Sequence, residues 1–133
     1  MSDPLVVRTD FSDQAAWQAI VAEIEAPQGE DGFLANVELV DDRANEALPL
    51  DQLLDRVSDR SPCYFVFVVD AMTISHPEHP VLVIGLRANR GREFRAIPSA
   101  IQAIENNLSI ANMDFDEFAS SADADGVFQT SFA

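Results

Sequence analysis

Two unbroken apolar runs, Cys63–Val69 and Val81–Leu86, stand at the centre of the chain on either side of a loop braced by Pro77 and Pro80. Runs of that length, rich in β-branched and aromatic residues, suit strands buried on both faces and predict the middle of a sheet. Phe94–Ile97 follows an Asn-Arg-Gly turn and reads as the second arm of a hairpin with Val81–Leu86. Earlier in the chain, Pro4–Thr9 predicts a first strand, and Phe33–Val40 alternates enough to be a second, ending at Asp41 and Asp42.

Helical spacing governs the intervening segments. Trp17, Ile20, Val21 and Ile24 share one face over Gln14–Ala26, with Asp10 or Ser12 as the cap and Pro27 and Gly29 as the stop. Pro49 opens a second helix whose apolar face is Leu50, Leu53, Leu54 and Val57. Pro98–Asn107 predicts a third, burying Ile101, Ile104 and Leu108, and a short one starting at Asn112 brings Phe115 and Phe118 together. The tail from Ser120 is small and polar apart from Val127, Phe128 and Phe132, and its end is expected to fray. The resulting order is β-α-β-α-β-β-β-α-α. It predicts a single α/β domain with a mixed, mostly parallel sheet of about five strands and helices on both faces.

Length and composition narrow the partners. A chain of 133 residues, 47% of them hydrophobic, can bury a substantial core. No apolar run approaches the roughly 18 residues that span a bilayer, and the opening MSDPLVVRTD lacks the features of a secretory signal. Cys63 is the single cysteine, which excludes an intramolecular disulfide and multi-cysteine metal sites. A cytoplasmic location is the simplest expectation. The net charge of −15 would repel a phosphate backbone or an anionic membrane, so the expected partner is a basic protein surface or a cation rather than nucleic acid or lipid, unless the acidity serves solubility alone. All eight basic residues are arginine, which removes P-loop and Schiff-base lysine chemistry.

Three constellations carry candidate chemistry. Asp10, Asp41 and Asp70 each follow a predicted strand, and if those strands are parallel the carboxylates gather at the sheet edge where open α/β folds bind ligands. With His76, Glu78 and His79 from the proline-braced loop they form a candidate metal set; the same aspartates also suit helix caps and turns. Arg87, Arg90, Arg92 and Arg95 form a basic patch that could grip a phosphate or carboxylate, or pair with the chain's own acids. Asp114, Phe115, Asp116, Glu117 and Phe118 would make an aromatic-acidic surface for a basic partner if one phenylalanine were exposed. Asp123-Ala124-Asp125-Gly126 lacks the closing glutamate of an EF-hand.

The stretches FVFVVDAMTISHPEHPVLVIGL and IENNLSIANMDFDEFA, together with the opening PLVVRTDFSDQAAWQAI, resemble a family of small acidic actinobacterial proteins of unknown function. That resemblance brings no established activity and so transfers no catalytic residues; no cofactor is expected, and the chain has no compact catalytic motif such as GxSxG, GxGxxG or CxxC. The leading expectation is therefore a non-enzymatic interaction module that binds a basic protein partner through an acidic face, with an inhibitor or immunity role as the type case. The competing expectation is a small metal-dependent hydrolase using the aspartate edge and the His76/His79 loop.

Overall fold

The computed structural model describes residues 3–28, 31–87, 90–109, 115–120 and 127–128. Within them the chain forms β1 (Leu5–Arg8), α1 (Gln14–Glu25), β2 (Glu38–Val40), α2 (Leu50–Arg60), β3 (Phe65–Val69), α3 (Ala71–Ser75), β4 (Val81–Gly85), β5 (Glu93–Ala96), α4 (Ile101–Ser109), α5 (Phe115–Ser120) and β6 (Val127–Phe128). Short 3-10 turns at Arg43–Asn45 and Pro98–Ala100 lie before α2 and α4.

All strands join one sheet of order β2-β1-β3-β4-β5-β6, so the two apolar runs do lie at its centre, as β3 and β4. β1 pairs with β2 and β3 in parallel, whereas β3–β4 and β4–β5 are antiparallel and β5–β6 is parallel. The sheet is thus mixed and not mostly parallel, which corrects the expectation from sequence. The cause is the Asp70–Pro80 connection: it holds only the short α3 and a turn, too little chain to cross the sheet, so β4 starts at the edge where β3 ends.

Strand alternation sorts the core into two layers. Val6, Phe65, Phe67, Val69, Val83, Phe94 and Ala96 meet Trp17, Ile20 and Ile24 of α1, Ile101 and Ile104 of α4, and Phe115 and Phe118 of α5. Leu5, Val7, Val66, Val68, Leu82 and Ile84 point the other way, onto Leu53, Leu54 and Val57 of α2. β3 and β4 feed both layers, which is why their sequences are apolar at every position. Full burial of one such side chain contributes roughly 1.5–3 kcal/mol, so these central strands hold the layers together.

Local departures from the predicted elements have identifiable causes. Asp13, not Asp10 or Ser12, caps α1: its carboxylate accepts the Ala16 N–H at 3.0 Å, while Asp10 Oδ1 accepts the Ser12 N–H in its own turn. α3 was not expected, although Asp70 and Thr73 form a reciprocal capping box at its start. The Phe33–Val40 strand shortens to Glu38–Val40, because only that part reaches β1. The tail contributes β6, paired with Arg95 and Ala96 of β5. Gly91 closes the β4–β5 turn at φ +84°, a conformation glycine adopts freely. Among the described residues no helix is long and apolar enough to cross a membrane.

Candidate functional site

Because β1, β2 and β3 are adjacent and parallel, their final residues share one edge of the sheet, and Asp10, Asp41 and Asp70 follow them there. Two arginines draw these aspartates into separate arrangements. Arg8 closes β1 with its side chain 3% exposed. Its Nε donates to the Asp10 carbonyl at 3.2 Å, and its Nη1 to Gln14 Oε1 at 2.8 Å and Asp41 Oδ1 at 3.3 Å. The guanidinium also lies 4.3 Å from the Phe11 ring centroid and 5.2 Å from that of Trp17, within cation–π range of both. Arg43 approaches Phe11 at 5.1 Å.

Arg95, from β5, meets Asp70 in a fork: Nη1 donates to Oδ1 at 3.0 Å and Nη2 to Oδ2 at 2.8 Å. Nη1 also reaches the Pro80 carbonyl at 3.1 Å. Asp70 Oδ1 further accepts the Thr73 N–H at 3.1 Å. The Thr73 hydroxyl lies 2.9 Å from both Asp70 Oδ1 and the Pro80 carbonyl, and with one proton it donates to one at a time. Burial alone would raise the Asp70 carboxyl, but the hydrogen bonds from Arg95 and Thr73 and the charge of Arg95 outweigh it and hold the group below the usual aspartate value.

The histidine loop is internally bonded. His76 Nδ1 accepts the Glu78 N–H at 3.0 Å, which leaves its proton on Nε2 when the ring is neutral. His79 Nδ1 lies 2.9 Å from the Thr73 carbonyl, an acceptor, and so carries a proton there. His79 adopts φ +49°, in the left-handed region where histidine is enriched among non-glycine residues. Among the described residues no group of three or more His, Cys, Asp or Glu side chains gathers in a metal-binding arrangement. Asp10, Asp41, Asp70, His76, Glu78 and His79 therefore share a region without forming one set.

The basic patch divides between opposite edges of the sheet. Arg87 bonds the Ser58 and Ser61 carbonyls, and Arg90 pairs with Asp55, all on or just after α2 beside the start of β3. Arg95 is at the other end, on Asp70, and Arg92 lies in the turn before β5. Phe115 and Phe118 are buried against Phe94, with ring centroids at 5.1 and 6.2 Å, so neither offers an exposed aromatic surface; Glu117 is exposed. Asp114, the side chain of Asp116 and the Asp123–Gly126 segment lie outside the described residues.

Two features were not read from sequence. One is the aromatic-backed Arg8, whose only signal was a charged residue closing an apolar strand. The other is an open groove between α1 and β2, floored by Trp17, Val21, Ala22 and Leu39 and rimmed by Glu25 and Asp41. β2 is the last strand of the sheet on that side, and exposed Phe33 and Leu34 precede it. In sequence, Phe33–Val40 looks like an ordinary strand, and nothing in it marks which strand will be at an edge.

A family model described as a domain of unknown function, DUF6924, matches residues 3–131. No curated protein matches the chain.

Proposed function

The chain belongs to the DUF6924 family of domains of unknown function, and from that premise we propose that it is a non-enzymatic interaction module taking a basic protein partner through its acidic surface. One observation carries the reading: most of the chain's own cations are already paired within the chain. Arg8, Arg43, Arg60, Arg90 and Arg95 are each engaged by an aspartate or glutamate of the same chain, and Arg87 by two backbone carbonyls. There are 23 acids against eight arginines, and most of the acids among the described residues are exposed. A field of that sign accelerates encounter with a basic protein and deters acidic ones. The edge aspartates support the same reading, since Asp41 and Asp70 already have arginine partners and Asp10 organises a turn.

The test is affinity capture at low ionic strength from the source cell's lysate, followed by purification of the captured protein and measurement of its association rate against salt. A partner whose association rate falls steeply with ionic strength supports the module. A partner indifferent to salt, or an acidic one, overturns it.

A further inference from the structure

We propose that the groove between α1 and β2 is where the partner docks, and that it receives an extended basic segment added as a strand to the outer edge of β2. This rests on the interaction-module reading and specifies its surface.

The backbone is set for such an addition. Glu38 donates its N–H inward, to the Pro4 carbonyl at 2.9 Å, and the β1–β2 register is parallel. In a parallel ladder alternate residues bond to the same neighbour, so the N–H and C=O of Leu39 point outward. Among the described residues no strand pairs with that edge. The extended approach to β2 continues the alternation. Ala35, Val37 and Leu39 pack toward the core layer under α1, while Asn36 and Glu38 are exposed.

The side-chain chemistry selects the occupant. The groove floor is apolar, and the exposed Phe33 and Leu34 precede β2 in the chain. Its rim carries Glu25, which is exposed, and Asp41, whose side chain is 47% exposed. A strand that alternates apolar and basic side chains would place the apolar set against Trp17, Val21 and Leu39 and the basic set on the opposite face, where Glu38 is exposed, while Glu25 and Asp41 add negative field from the groove rim. A second copy of this chain is disfavoured at the same edge, because two bodies of charge −15 repel. The short β2 and the Glu38–Arg60 pair at 3.2 Å fit an edge protected against such self-pairing yet open to a partner of opposite charge.

Trp17 is the only tryptophan and lines the groove, so its emission reports occupancy. The probe is a short blocked peptide alternating arginine and valine around a central phenylalanine, titrated into the full chain at low salt. A matched peptide is N-methylated at alternate amides along the edge that would face β2. Saturable change in Trp17 emission is expected with the first peptide. Removing the edge hydrogen bonds should weaken binding by about tenfold or more. Glu25→Arg, a change on the exposed helix face, should weaken it several-fold. Equal binding of both peptides would overturn strand addition while leaving the acidic-module reading intact. Binding that shifts neither Trp17 emission nor the Leu39 amide resonance would do the same, by placing the contact elsewhere. Absence of any binding would overturn the inference, and the salt-dependent capture above then decides the broader reading separately.

Discussion

Arg8 and Arg95 both withdraw a guanidinium from water at the same edge of the sheet, with side chains 3% and 18% exposed, yet they are held by different physics. Arg95 has one carboxylate in fork geometry, and that carboxylate is itself fixed by the capping box of α3. Arg8 has a single bond to a half-exposed carboxylate and otherwise relies on two ring faces, an amide oxygen and a backbone carbonyl. The deeper charge thus has the weaker ion pair. Burying an arginine does not require a matched carboxylate when π-faces and neutral acceptors surround its planar, weakly hydrated head.

The largest expected effect tests that contrast directly. Arg8→Ala should destabilise the fold by about 3 kcal/mol, because it empties a buried site beside Phe11 and Trp17. Arg8→Lys should recover less than half of this, since an ammonium lacks the planar stacking surface. Denaturant titration measures both. A loss below about 1 kcal/mol for Arg8→Ala would show that the rings pack equally well without the guanidinium.

Asp70→Asn comes next, at about 2 kcal/mol, because it leaves Arg95 partly buried without its counter-charge. Double-mutant cycles sharpen the comparison. Coupling between Arg95 and Asp70 should be about 1.5 kcal/mol, and that between Arg8 and Asp41 below about 0.5 kcal/mol. If the two coupling energies came out reversed, Arg8 would be held chiefly by its carboxylate and the contrast would fail.

The two centres were also unequally legible in sequence. The shared edge of Asp10, Asp41 and Asp70 followed from alternating β and α elements, since parallel strands end on the same side. What each carboxylate binds did not follow. Arg95 reaches Asp70 only because β4 and β5 return antiparallel, and that depended on the shortness of the Asp70–Pro80 connection. The α3 helix within it was hidden by the two prolines of the loop, although Asp70 and Thr73 had the spacing of a capping pair. The buried faces of the helices were legible, because helical periodicity assigns a face locally; which layer each residue of the uniformly apolar β3 and β4 joins was not. The groove was not: a strand's place at the edge is a property of the whole sheet order.

A pH experiment gives the smallest effects and separates Asp70 from a second perturbed carboxyl, Glu105, whose side chain is buried with Oε2 unpartnered among the described residues. Burial pushes the Glu105 carboxyl up, the nearby Asp3 charge adds to this, and the Asn36 N–H opposes it. The two shifts have opposite consequences. Asp70 is depressed in the fold, so its contribution is present above the usual aspartate value and is lost as pH falls through its folded value. Glu105 is raised, so its contribution is present below the usual glutamate value and is lost as pH rises through its folded value. Asp70→Asn should therefore flatten the acid limb of the stability–pH curve. Glu105→Gln should cost little at low pH and become relatively more stable than the wild type as neutrality is approached, because the amide keeps an acceptor for Asn36 without a charge to bury. Chemical denaturation of the three proteins from acid to neutral pH resolves the two limbs. A Glu105→Gln curve parallel to the wild type would mean that solvent reaches the carboxylate, and that Asp70 alone shapes the acid response.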